Sequence, residues 1–171
     1  MANNHTAGAV ARTFAPSELC QRMLAKTSKG TCGPCILYLE DGTIFYGRAC
    51  GAEGTATGEV CFNTSLEGYF EVMTDPSYAG QIVTMTYPQI GNYGIDETDV
   101  QSAFPGDAAR PASAPAMRGM IVRDMCATPS NWRSAVSVPE YLRAHGIVAI
   151  EGVDTRALVR HLRDNGSKMG I

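Results

Sequence analysis

The sequence is poor in charge. Charged residues make up 18% of its 171 residues, against about 25% in typical soluble proteins. The formal net charge is only −3, which argues against a broad surface for nucleic acid or for an anionic membrane. No apolar run approaches the roughly 20 residues of a membrane-spanning helix. The composition predicts neither a nucleic-acid nor a membrane partner, and the low charge favours a surface that is covered by another protein.

Recognisable catalytic motifs are also lacking. There is no Gly-x-Ser-x-Gly nucleophile elbow, and the glycine-rich stretch 51–58 lacks the Lys-Ser/Thr pair of a phosphate-binding loop. The three histidines are scattered: His5 is near the N-terminus, and His145 and His161 fall in predicted helices. The acidic residues show no spacing that singles out an acid–base pair. The residues by themselves identify no complete catalytic site.

Six cysteines are present, but residues 1–30 contain no apolar core of a secretory signal peptide. Reduced thiols in a cytoplasmic protein are therefore expected. Cys32 and Cys35 form a Cys-Gly-Pro-Cys motif, as in thiol-disulfide oxidoreductases, whose first thiol needs a helix N-terminus. A strand pattern follows Cys35 instead, so a redox function is only an alternative. A small zinc-binding interaction module is another alternative, and scattered cysteines would have to complete its ligand set. The remaining cysteines are Cys20, Cys50, Cys61 and Cys126.

Two segments differ from the rest of the chain. Residues 1–30 carry a local charge of +3 and the remainder carries −6. We interpret 1–30 as an N-terminal extension that is flexible, with an organellar transit peptide as the alternative because the stretch contains arginine and little acid. Residues 101–116 contain six alanines and three prolines and predict an exposed loop. The domain proper is expected to span 31–171.

The remaining pattern predicts strands first and helices late. Asp41-Gly42 between two β-prone runs predicts a hairpin whose two turn positions both need positive φ. Ser137 and Glu140 have the spacing of a capping box at the start of one helix. Asp154 should cap a second helix, with Ala157, Leu158 and Leu162 facing inward and Gly166 ending it. This order indicates a layered α/β domain rather than a doubly wound one. The predicted strands are 36–39, 43–46, 59–62, 81–87, 120–123 and 147–150.

The stretch from Phe62 to Gly80 is dense in polar groups and turn residues. Within it, Thr74-Asp75-Pro76-Ser77 predicts a turn with proline at the second position. Turns between regular elements often carry ligand-binding residues. From the residues alone, a Ser77 hydroxyl that only stabilises the turn is the favoured interpretation, and a ligand-binding Ser77 is the alternative.

An ordered series of short motifs resembles the N-terminal half of the small subunit of glutamine-dependent carbamoyl-phosphate synthase. The resemblance runs from about Ile36 to Gly170. Lys168 and the residues after it stand where another strand should begin, so the domain is expected to be truncated before the family's last strand. The motifs are 39–43, 58–60, 62–65, 68–69, 74–78, 81–84, 86–88, 90–94, 130–133 and 154–158.

The resemblance implies a β/β/α swivelling fold with mixed sheets and two late helices. It also implies docking to a large subunit, which uses ammonia from glutamine, bicarbonate, ATP and Mg to make carbamoyl phosphate for pyrimidine and arginine synthesis. The family's glutamine-cleaving residues lie in a separate amidotransferase domain that this sequence lacks, so no cysteine here is expected to be the nucleophile. Ser77 corresponds to a serine that contacts the bound glutamine. No cofactor is expected in this chain.

Overall fold

A computed structural model describes residues 33–96, 114–131, 134 and 136–171. The predictions for residues 1–30, for Cys20 and Cys32, and for 101–113 lie outside the described residues. Ala114, Pro115 and Ala116 are described and are buried, so the prediction of an exposed loop is wrong for the last three residues of 101–116. No helix in the described part of the chain is long and apolar enough to span a bilayer.

Nine strands and three α-helices make up the described residues. Strands β1 to β9 are Pro34–Tyr38, Ile44–Ala49, Gly58–Asn63, Ile82–Met85, Gln89–Ile90, Gly119–Ile121, Asp124–Met125, Val148–Glu151 and Lys168–Gly170. Helices α1 to α3 are Tyr69–Thr74, Val138–Ala144 and Thr155–Asn165, and a single 3₁₀ turn covers Pro76–Tyr78.

Seven of the strands form one mixed sheet in the order β1-β2-β8-β6-β4-β3-β9. The four central strands β8, β6, β4 and β3 are parallel to one another, and the pairs β1-β2, β2-β8 and β3-β9 are antiparallel. The sheet is curled so far that its two edge strands meet. Strand β9 contacts the chain at the end of β1 as well as β3. Gly170 bridges to Leu39, and Ile171 and Tyr38 exchange backbone hydrogen bonds of 2.9 and 3.0 Å. The mixed α/β class predicted from the sequence is confirmed.

The β1–β2 hairpin is confirmed, but its turn differs in detail from the predicted one. Leu39 N–H donates to Thr43 O at 2.9 Å, so the loop has three residues rather than two. Within this loop only Gly42 has a positive φ, at 90°. In the described part of the chain, every residue with a positive φ is a glycine. Three-residue hairpin loops need the left-handed conformation at their last position alone, and the Asp41 carboxylate completes the turn by accepting the Thr43 N–H at 3.0 Å.

The alternation of side chains along the strands separates two hydrophobic cores. The inner core lies within the curl of the sheet and under α3, and the outer core lies between the opposite face, α1 and α2. Along β4, Ile82 belongs to the inner core and Val83 to the outer core. Successive side chains of a strand point to opposite faces, so a strand buried on both faces reads as a continuous apolar run.

The two late helices begin as predicted. Ser137 forms both halves of the capping box with Glu140, and the Asp154 carboxylate accepts the Ala157 N–H at 3.0 Å. Leu158 and Leu162 enter the inner core. Ala157 is exposed and Thr155 is buried in its place, which corrects one predicted inward position.

Four elements were not among the predicted strands and helices. Helix α1 is only six residues long, too short for apolar periodicity to reveal. Strands β5 and β7 form a separate two-stranded parallel sheet. Strand β9 occupies Lys168–Gly170, where the sequence indicates that a further strand begins.

Candidate functional site

The turn that carries Ser77 is built by its own side chains and backbone. Proline at the first position of the 3₁₀ turn supplies a fixed φ and needs no N–H partner. The Asp75 carboxylate accepts the Ser77 N–H at 2.8 Å. The backbone of Tyr78 donates to Asp75 O, and that of Ala79 donates to Pro76 O, both at 3.1 Å. Asp75 therefore acts as an N-cap, and Ser77 is held in one backbone position.

The Ser77 side chain points away from the body of the domain. The residue is exposed, and within the described residues its hydroxyl has no hydrogen-bond partner, while its N–H is bound to Asp75. The structure therefore places the predicted candidate residue at the surface with an available hydroxyl.

A hydrogen bond joins this turn to the last residue of β3. Asn63 Nδ2 donates to the Tyr78 hydroxyl at 3.0 Å, and Asn63 Oδ1 accepts the Ser65 N–H at 2.7 Å. One asparagine side chain thus fixes both the loop that follows β3 and the aromatic residue next to Ser77. No local sequence pattern predicts this pairing, because the partners are 15 residues apart.

The N-terminus of α1 is satisfied by a tyrosine from a distant loop. Gly68 occupies the N-cap with φ 77° and offers no side chain to accept a hydrogen bond. The Tyr93 hydroxyl accepts the N–H groups of Gly68 at 2.8 Å and of Tyr69 at 3.2 Å. The two tyrosine rings stack with centroids 4.1 Å apart, and the Tyr69 hydroxyl donates to Gly94 O at 2.7 Å. Burial raises the pKa of both phenols, so both stay protonated over the physiological range.

A shallow concavity of about 310 Å³ lies beside the Ser77 turn. Asp75, the N-cap of the 3₁₀ turn, and Tyr78, its last residue, contribute to the wall of this concavity, together with Glu67 and Glu71. The local charge is therefore negative, which favours a cationic group over an anionic one near the turn. The other residues of the wall are Asn63, Ser65, Gly68 and Val72.

The described cysteines are free thiols, and burial raises the pKa of two of them, Cys35 and Cys61. Cys35 lies within β1 rather than at a helix N-terminus, and burial raises its pKa. Burial, with a smaller contribution from Glu59, raises the pKa of Cys61 to about 11. A redox thiol needs the opposite shift, so Cys35 has neither the position nor the electrostatics of the alternative thiol-disulfide function.

Neither described histidine belongs to the region around Ser77. His145 ends α2, with Nδ1 2.9 Å from Tyr141 O. His161 on α3 places Nε2 2.7 Å from the Asp41 carboxylate in the β1–β2 turn. No group of three or more metal-ligating side chains occurs among the residues that the structure describes.

The fold and the exposed turn define a small mixed α/β domain whose distinctive polar feature is the Asp-Pro-Ser-Tyr turn before β4. Residues 37–171 match the model of the carbamoyl-phosphate synthase small chain, CPSase domain. The chain belongs to this family.

Curated relatives agree with the family match. The chain is 55% identical over 136 residues to the carbamoyl phosphate synthase small chain of Syntrophotalea carbinolica, covering 80% of this chain and 34% of the relative. It is 54% identical over 137 residues to that of Xanthomonas axonopodis pv. citri, with 80% and 32% covered. The corresponding values for Thermotoga maritima are 52% over 135 residues, with 79% and 32% covered. The chain spans about a third of the length of these relatives.

Proposed function

We propose that this chain is the glutamine-contacting and docking domain of a carbamoyl-phosphate synthase small subunit, and that Ser77 contacts the glutamine. The observation that carries the proposal is the Ser77 hydroxyl, which is exposed and has no hydrogen-bond partner in the described part of the chain. The family membership of the chain supports the assignment.

The chemistry of a serine hydroxyl suits this function. A hydroxyl both donates and accepts hydrogen bonds, so it can pair with either the α-amino or the α-carboxylate group of an amino acid. Asp75 holds the Ser77 backbone before any ligand arrives. A residue ordered in advance loses less conformational entropy on binding. The carboxylates of Glu67, Glu71 and Asp75 around the concavity would favour the ammonium end of the ligand.

The rest of the reaction is assigned to other parts of the enzyme. Glutamine hydrolysis needs an activated nucleophile, a base and an oxyanion hole, and the raised thiol pKa values of Cys35 and Cys61 do not favour that activation. We assign hydrolysis to an amidotransferase domain and predict that this chain alone is inactive. The large subunit would consume the ammonia with bicarbonate, ATP and Mg in a cytoplasmic ligase that serves pyrimidine and arginine synthesis.

The test uses a small subunit extended with its amidotransferase domain and paired with its large subunit. Ser77→Ala should raise the glutamine KM about 2- to 150-fold, since one hydrogen bond is worth about 0.5–3 kcal/mol depending on the charge of the partner. The rate of ammonia-dependent synthesis should change little, because that reaction bypasses glutamine. The matched control is Ser167→Ala, which removes another exposed hydroxyl.

Two results would contradict the proposal. One is an unchanged glutamine KM in Ser77→Ala. The other is a loss of thermal stability in that variant with normal glutamine kinetics, which would make Ser77 a structural residue of the turn.

A further inference from the structure

The turn that carries Ser77 is ordered internally, but its internal bonds do not fix its position relative to the sheet. The Asp75 carboxylate accepts the Ser77 N–H at 2.8 Å, and backbone hydrogen bonds of 3.1 Å close the turn. Within the described residues, one side-chain hydrogen bond leaves 75–78, and it joins the Tyr78 hydroxyl to Asn63 at 3.0 Å. This bond therefore ties the turn to the sheet.

Asn63 is a firm anchor because its backbone belongs to the parallel part of the sheet. It is the last residue of β3, it pairs with Met85 of β4, and its carbonyl accepts the Thr86 N–H at 3.0 Å. The Tyr78 ring is half-buried and packs against the outer core. The ring is thus held along its length by packing and at its hydroxyl by Asn63, which restricts the residue next to Ser77.

The direction of the bond between Asn63 and Tyr78 follows from a second contact of the same side chain. Asn63 Oδ1 lies 2.7 Å from the Ser65 nitrogen. A backbone N–H can only donate, so the atom facing it is the amide oxygen, and the atom facing Tyr78 is the Nδ2 donor. The Tyr78 oxygen is therefore the acceptor. An aspartate at position 63 would keep both contacts, because its second oxygen would accept the Tyr78 O–H instead.

We propose that Asn63 and Tyr78 are positioning residues for glutamine binding, because their hydrogen bond holds the Ser77 hydroxyl where the ligand meets it. The inference rests on the proposed function of Ser77, and neither positioning residue needs to touch the glutamine. Without the bond, the turn keeps its cap from Asp75 but samples several positions relative to the sheet. Binding must then restore one of these positions, which costs affinity.

The test uses the small subunit extended with its amidotransferase domain and paired with its large subunit. Tyr78→Phe keeps the ring and removes the acceptor oxygen. It should raise the glutamine KM about 2- to 13-fold, because restoring the position costs no more than one neutral hydrogen bond. The kcat at saturating glutamine and the rate of ammonia-dependent synthesis should change little. The matched control is Tyr46→Phe, because the Tyr46 hydroxyl has no hydrogen bond within the described residues.

A rescue and a double variant separate positioning from general damage. Asn63→Ala loses both side-chain contacts and should raise the glutamine KM at least as much as Tyr78→Phe, whereas Asn63→Asp should restore a KM close to that of the unaltered enzyme. In a Ser77→Ala background, Tyr78→Phe should add no further increase, because residues that act through one hydroxyl are not additive. If Asn63→Ala fails to fold, Tyr78→Phe and the double variant decide.

The outcomes distinguish this inference from the proposed function. If Ser77→Ala raises the glutamine KM but Tyr78→Phe does not, the positioning role is wrong and the function of Ser77 stands. If Tyr78→Phe raises the KM equally with and without the Ser77 hydroxyl, the two residues act independently and the positioning role is again wrong. An unchanged KM in Ser77→Ala contradicts the proposed function itself, and the positioning role with it.

Discussion

The two faces of the curled sheet are stabilised in different ways. The inner core is an apolar cluster that Leu158 and Leu162 of α3 form with strand residues such as Leu37. The outer face also has an apolar core, but the part of it that leads to the Ser77 turn depends on polar contacts. Tyr93 binds the start of α1, and Asn63 binds Tyr78. Apolar packing therefore stabilises the inner face, whereas polar contacts on the outer face determine where Ser77 lies.

The largest expected effect is in the inner core. Leu158 is fully buried, and Leu158→Ala should lower the free energy of unfolding by about 2–5 kcal/mol, as expected for a large-to-small change that leaves a cavity. Urea denaturation of the 171-residue chain measures this change. The control is Leu66→Ala, at a side chain that is 74% exposed, which should change stability by less than about 0.5 kcal/mol. Equal effects of the two variants would contradict a stabilising role for the packing of Leu158 in the inner core.

The strands and the two late helices were predictable from the sequence. Alternation and β-branched residues placed all six predicted strands, and the Ser137 and Asp154 caps placed α2 on the outer face and α3 on the inner one, because these signals are local. Even there the hairpin turn was predicted with one residue too few, since Asp41-Gly42 does not reveal that Glu40 also belongs to the loop.

Of the candidate site, only the local turn around Ser77 was predictable from the sequence. Asp75-Pro76 indicated the turn and Ser77 its exposed residue, because proline and aspartate act on their immediate neighbours. The contacts of Tyr93 with Gly68 and Tyr69 join residues 25 and 24 positions apart. Such pairs form only after the chain folds, and neither tyrosine nor glycine carries a local signal for the pairing.

A smaller effect is expected on the outer face. Tyr93→Phe keeps the ring stacked on Tyr69 but removes the oxygen that accepts two N–H groups at the start of α1. Leaving such donors without a partner costs about 1–3 kcal/mol, and urea denaturation should show a loss in this range. Tyr46→Phe is the control, because the Tyr46 hydroxyl has no hydrogen bond within the described residues. A Tyr93→Phe variant as stable as this control would show that water replaces the hydroxyl without cost.

The smallest expected effect is a pH dependence of stability, which arises where Asp41 in the β1–β2 turn contacts His161 on α3. The Thr43 backbone N–H, followed by the His161 side chain, lowers the pKa of Asp41 from 3.8 to about 2. Because the folded-state pKa lies below the unfolded one, the carboxylate stabilises the fold above pH 4, and the stabilisation is lost as the pH falls from about 4 to 2. Asp41→Asn should therefore be slightly less stable than the unaltered chain at pH 6 and equal to it at pH 2. Thermal melting at both values measures the difference.

Asp164→Asn, which alters an exposed acid on the same helix as His161, is the control. A stability difference for Asp41→Asn that persisted at pH 2 would mean that the shape of the turn, rather than the charge of Asp41, links the hairpin to α3.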